Sequence, residues 1–139
     1  MANIEPGIIR FEKYEVEEIQ FKLNSAYEEE EVNIDIKMEV EATSDDSNEH
    51  MRIRLIVHIF DEAIKNKYPF EMKVVVVGYF SIGVEKDNDI AHYQANAIAI
   101  LYPYIRAIVS TYTASANVTP LILPTVNVNK FLKNRTANS

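Results

Sequence analysis

Cysteine is absent from these 139 residues, and glycine and histidine occur only three times each. Without cysteine the chain can form no disulfide, no thiolate nucleophile and no thiolate metal centre, and its composition fits a reducing compartment such as the cytoplasm. Gly7, Gly78 and Gly83 stand far apart, so no glycine-rich loop brings backbone amides around a phosphate, and no nucleotide site is expected. Long apolar runs are missing as well. Val74–Val77 and Ala97–Leu101 fall far short of the length that spans a bilayer, and no stable membrane insertion is expected. The opening residues show no basic region followed by an apolar stretch, so no signal peptide is read.

The histidines offer little chemistry. His58 falls on the less apolar face of a predicted strand and reads as a structural residue. Asp45, Asp46, Glu49 and His50 gather in a polar turn without fixed ligand geometry, so they read as a solvated loop, and no metal site is expected. The serines lack a Gly-x-Ser-x-Gly context, and nothing pairs two carboxylates as acid and base. The chain is therefore read as no enzyme, with no cofactor.

What is present is acidity, unevenly spread. Residues 1–70 hold 17 acidic and 8 basic side chains, and residues 71–139 hold 4 and 6. An acidic half disfavours nucleic acid, whose affinity comes largely from neutralising phosphates. It suits either a basic partner or plain solubility.

Apolar periodicity organises the rest. Val32, Ile34, Ile36, Met38 and Val40 alternate with polar residues, as do Met51, Ile53, Leu55, Val57 and Ile59, which predicts a hairpin around the polar turn 43–48. Phe70–Phe80 predicts a strand covered on both faces, with bulges or turns at Gly78 and Gly83. The first strand slips phase twice. Ile9 and Phe11 share one phase, Tyr14 and Val16 the other, and Ile19, Phe21 and Leu23 return to the first, so two β-bulges are predicted. Asp89 is placed to cap a long helix through Ile90, Tyr93, Ala97, Ile98, Leu101, Ile105, Ile108, Val109 and Tyr112, ending near 115–117, with Pro103 expected to kink or divide it. Asn129 is placed to cap a short final helix from Lys130 to Asn134, before a frayed tail at 135–139. Strands first and helices last predict one α+β domain over 1–139, a four-stranded antiparallel sheet followed by a long helix and a short C-terminal one.

The densest cluster is apolar. Tyr102 and Tyr104 flank Pro103 ahead of Arg106, and Leu121-Ile122-Leu123-Pro124-Thr125-Val126-Asn127-Val128 follows. Tyrosine suits an interface with one wet edge, and it equally closes the end of a core. Both readings stay open for Tyr102 and Tyr104 on the residues alone.

These motifs resemble those of the SecB protein-export chaperones. Leu101-Tyr102-Pro103-Tyr104-Ile105-Arg106 is similar to that family's Leu-Phe-Pro-Tyr-x-Arg, and Leu121–Val128 to its Leu-x-Leu-x-Pro-Val-Asn-Phe. Gly78-Tyr79-Phe80-Ser81-Ile82 matches its Gly-x-Phe-Ser-Ile. The resemblance implies an ATP-independent holdase, a cytoplasmic homotetramer built as a dimer of dimers, that keeps non-native polypeptides export-competent in apolar grooves between the crossover from the first to the second strand and the C-terminal helix. By position, Val32, Ile34 and Ile36 on the second strand, Tyr104 and Phe131 are implied to line that groove. Met72, Val74 and Val76 are implied to influence assembly. Glu18, Lys22, Glu71 and Lys73 fall where the family docks the motor SecA through acidic residues. Two lysines there, and Val128 in place of phenylalanine, depart from the pattern. An alternative on the same fold is therefore a chaperone dedicated to one partner, such as a toxin–antitoxin component, without SecA coupling. A small-molecule protein on this scaffold would instead show a closed pocket with converging polar groups.

Overall fold

The computed structural model describes residues 9–28, 31–45, 49–83, 90–128 and 130–131, the side chains of 90–92 excepted. The elements run β1 (Ile9–Leu23), β2 (Ile36–Ser44), β3 (His50–Ile59), α1 (Ala63–Asn66), β4 (Phe70–Ile82) and α2 (Ile90–Ser115). The strands form one antiparallel sheet in the order β1-β4-β3-β2, and α2 packs on one face of it. The predicted α+β class and four-stranded sheet are what the chain forms. The predicted helix from Lys130 and the frayed tail fall largely outside the described residues, and so does the predicted cap at Asp89.

Both predicted bulges are present. The register of β1 against β4 shifts between Phe11 and Lys13 and again between Val16 and Glu18. Glu12 and Glu17 are the surplus residues. With them looped out, Ile9, Phe11, Tyr14, Val16, Ile19, Phe21 and Leu23 stand opposite Ile82, Phe80, Gly78, Val76, Val74, Met72 and Phe70, all on the helix side. The surplus side chains serve the opposite face. Glu17 pairs with Arg54 at 2.9 Å and with Arg52 at 3.7 Å, while Arg54 also reaches Glu41 on β2 at 3.2 Å. The hydrogen bond that Arg54 donates to Glu17 raises the pKa of its guanidinium and secures its charge.

Three expectations need correction. β2 begins at Ile36, not near Val32, because β3 ends at its partner Ile59 and Phe60 turns away with φ 55°. Gly78 makes no turn. It lies mid-strand, where a Cβ would come within 2.7 Å of a Leu101 methyl, so glycine is what admits the helix here. Pro103 does not divide α2: the bond it removes belongs to the Ala99 carbonyl, and both residues lie on the exposed side, where the carbonyl is open to solvent. The helix does end as predicted, with Asn117 in the left-handed region at φ 61°.

α1 is a single turn that the periodicity does not announce. It is flanked by left-handed Glu62 and Lys67, and its Ala63 N–H donates to the Glu71 carboxylate at 3.3 Å.

The core lies between α2 and the inner sheet face, where Ile53, Leu55, Val57, Val74, Val76, Ile98, Leu101 and Ile105 are fully buried. Over β1 it is incomplete, with Ile9, Phe11 and Phe21 packed against it only partly buried. Tyr14, Val16, Ile19 and Leu23 remain between 38% and 55% exposed on the helix side. For one isolated chain this is a long uncovered apolar stripe.

Candidate functional site

Beyond α2 the chain turns back along the helix as a strap, residues 118–128, and one helical stripe holds it. The Tyr102 hydroxyl donates to the Pro124 carbonyl at 2.7 Å, Arg106 Nε to the Leu123 carbonyl at 3.0 Å, and the Ser110 hydroxyl to the Leu121 carbonyl at 3.1 Å. The Leu121 N–H donates in return to Thr113 Oγ1 at 2.9 Å. Residues 102, 106, 110 and 113 follow the spacing of one helix face, so a single row of side chains grips an irregular segment by its backbone. Leu123 is fully buried beneath this row, and Ile122, its neighbour, points into solvent at 71% exposure. Burial raises the pKa of the Tyr102 phenol, and the nearby Arg106 charge offsets part of the rise.

The strap ends in a helical turn. The Asn127 side chain accepts the Lys130 N–H at 2.9 Å, and its carbonyl accepts the Phe131 N–H at 3.0 Å. Asn127 therefore fills the cap that the sequence suggested for Asn129.

Between the β1–β2 crossover and the strap lies a cleft of about 690 Å³. Glu31, Val32, Asn33 and Ile34 form one wall, Val118, Thr119, Pro120 and Leu121 the other, and Phe60 and Phe70 also line it. Aromatic packing fixes this end of the molecule. Phe60 meets Phe70 edge-on at 5.2 Å, and Phe70 stacks on Phe21 at 5.0 Å. The crossover is tied down at its start by Asn24, whose Nδ2 donates to the Tyr68 carbonyl at 2.9 Å and whose N–H donates to Pro69 at 3.0 Å.

The five residues expected to share a groove are divided. Val32 and Ile34 line the cleft, on the crossover and not on a strand. Ile36 opens β2 and packs partly buried against the core, as does Phe131 after the strap. Tyr104 sits on the other side of α2, stacked on Tyr14 at 4.2 Å with Phe11 at 5.9 Å. Tyr102 packs inward. The sequence reading did not find Tyr27, Phe60, Phe70, Val118 or Pro120 as lining residues. An aromatic residue stranded in an acidic loop, Tyr27, was the available signal.

Met72, Val74 and Val76 lie under α2 with 3%, 0% and 0% exposure, so their side chains are spent in the chain's own core. Among the described residues the large apolar side chains left exposed are Tyr14, Val16, Ile19 and Leu23 on β1, with Ile34, Ile64, Tyr112 and Ile122 elsewhere. Glu18, Lys22, Glu71 and Lys73 do gather on the outer sheet face, with Lys22 opposite Glu71 and Gln20 opposite Lys73. Glu18 is neutralised by Lys73 at 3.1 Å, and Glu71 caps α1, so this face is not an acidic patch.

The polar turn behaves as a closing device. Asp45 accepts the N–H groups of Glu49 and His50 and contacts His50 Nδ1 at 2.7 Å, which raises the imidazole pKa above its ordinary value. No group of side chains that could hold a metal ion occurs among the described residues. No helix of the described residues is long and apolar enough to cross a membrane.

A family model for SecB, the preprotein translocase subunit, matches residues 10–139. An uncharacterized protein of Methanocaldococcus jannaschii is 32% identical, over 91% of this chain and 83% of its own length. Among solved structures, a Mycobacterium tuberculosis SecB-like chaperone in complex with a ChAD peptide from the HigA1 antitoxin superposes with a TM-score of 0.67. That match has 19% identity and covers 86% of this chain and 88% of that one. A Streptococcus agalactiae protein of unknown function superposes with a TM-score of 0.51 at 11% identity, over 85% and 98% of the two chains.

Proposed function

Since the chain belongs to the SecB family, we propose that it is a cytoplasmic, ATP-independent holdase that grips non-native polypeptides in the cleft between crossover and strap and keeps them competent for export. The observation that carries this reading is the cleft itself: open, and lined by Val32, Ile34, Phe60, Phe70 and Leu121, with Glu31 as the one charged lining residue among the described residues. A protein that must hold many unrelated sequences relies on apolar area in place of specific polar contacts. Burying a few client side chains at about 1.5–3 kcal/mol each gives useful affinity without nucleotide-driven release. The acidic surface keeps such a particle soluble.

Assembly belongs to the same reading. The stripe of Tyr14, Val16, Ile19 and Leu23 is what a homotetramer would bury, and Met72, Val74 and Val76 would act on assembly only through the packing of α2. Reduced, unfolded client protein tests the function: its aggregation is expected to be suppressed without ATP at stoichiometric chaperone. No suppression at that ratio rejects the holdase reading.

The second reading, a chaperone dedicated to one partner such as an antitoxin and uncoupled from SecA, is favoured by the outer face. Lys73 neutralises Glu18 and Lys22 stands opposite Glu71, where motor docking calls for exposed acid. The antitoxin peptide in the Mycobacterium tuberculosis complex is in keeping with it. Pulldown with SecA separates the two: robust binding supports export and counts against the dedicated role.

A further inference from the structure

We propose that the crossover wall of the cleft, residues 31–34, holds its client by strand addition, pairing the client's backbone with its own free N–H and C=O groups. This rests on the holdase reading and adds how the client is gripped.

Glu31, Val32, Asn33 and Ile34 all line the cleft, and the segment has neither helix nor turn. In open chain successive side chains point to opposite sides, so four consecutive lining residues bring the main chain itself to the surface. Among the described residues these four make no backbone hydrogen bond. The first on this stretch is at Asp35, whose carbonyl accepts the Phe60 N–H at 3.0 Å, and sheet pairing begins only at Ile36 opposite Ile59. The phase of β2 nevertheless continues backward through Ile34 and Val32. Among the described residues this segment has no pairing neighbour, since β3 has already turned away at Phe60.

The opposite wall offers less. The Leu121 N–H is held by Thr113 and its carbonyl by Ser110, while Pro120 has no N–H to give, which leaves Val118 and Thr119 as its only N–H donors. The longer run of unpaired backbone is the crossover's. An unpaired backbone edge beside an apolar floor is the arrangement of strand addition: main-chain bonds supply the grip and pockets take alternate side chains. It also explains a broad yet discriminating grip. Every unfolded chain carries free backbone, whereas a folded protein has already paired its own.

The test uses the unaltered full chain and a fluorescent peptide alternating leucine and threonine, with binding read by anisotropy. Two variants of the peptide carry N-methyl groups on its odd or its even amides. Odd and even amides of a strand face opposite edges, so one methylated peptide is expected to bind at least about tenfold more weakly and the other within about twofold. With the parent peptide bound, amide hydrogen exchange within 31–34 is expected to slow by about tenfold at alternate positions. Equal binding of the two methylated peptides, or unchanged exchange in 31–34, overturns strand addition and leaves the holdase reading standing. Failure of all peptides and of an unfolded protein to bind overturns both.

Discussion

Arg106 donates from Nε to the Leu123 carbonyl at 3.0 Å, and by that bond a helix side chain determines where a segment without regular structure must lie. Tyr102, one turn earlier, does the same for Pro124. Each bond is expected to contribute about 1 kcal/mol, so Tyr102→Phe and Arg106→Ala each lower unfolding stability by about that amount in urea denaturation. The double variant is expected to lose less than the sum, because a strap freed at one point is already loosened at the next.

Tyr102 also gives the strap a pH dependence. Burial raises its pKa above the ordinary 10.0, so the folded chain holds the phenol proton more tightly than the unfolded one. Its contribution is fully present below pH 10 and is lost as pH rises through the folded value. Stability is expected to fall in that alkaline window in the parent chain, and Tyr102→Phe removes this part of the fall.

Val32→Ser with Ile34→Ser separates cleft from core. Ile34 is 42% exposed and Val32 half-buried, so melting is expected to drop by only a few degrees, while affinity for an unfolded client falls about tenfold. Tyr104→Ala acts on the other side of the helix. It removes the stack on Tyr14 and is expected to cost about 1 kcal/mol with little change in client affinity. The opposite pattern would return the binding site to Tyr104.

Gly78→Ala places a methyl 2.7–2.8 Å from both Leu101 methyls and from the Phe80 ring. Both neighbours are buried, so the clash is expected to cost about 1–3 kcal/mol, read by chemical denaturation. Added to Leu101→Ala, Gly78→Ala is expected to cost less than it does alone.

The His50 imidazole should titrate above 6.5, because its Nδ1–H donates to the Asp45 carboxylate, which stabilises the charged ring. The hairpin is then favoured at low pH, and the contribution is lost as pH rises through the folded pKa. An NMR titration of His50 is expected to show the elevated midpoint, and Asp45→Asn to bring it back toward 6.5.

Sheet, helix and bulges were legible because each imposes a period on apolar residues. The slips at Phe11/Tyr14 and Val16/Ile19 alone locate both bulges. The start of β2 was not legible, since Val32 and Ile34 keep strand phase where the partner has left, and a period records side chains, not neighbours. The strap hid for a different reason. Tyr102, Arg106, Ser110 and Thr113 bind its backbone, which looks the same in every sequence. The cleft combines both blind spots, so family resemblance pointed near it and the residues Phe60 and Phe70 came only with the fold.

β1 has fifteen residues and β4 thirteen, yet the two strands keep company from end to end. Length is thereby separated from span. Removing Glu12 and Glu17 would leave every inward pairing of the strand in phase, so neither is needed to place an apolar side chain. What they supply is bend and bracing: each surplus residue curves the edge, and Glu17 carries a carboxylate across β4 to Arg54. A strand without them would still belong to the sheet, but as a straight edge no longer braced across the next strand.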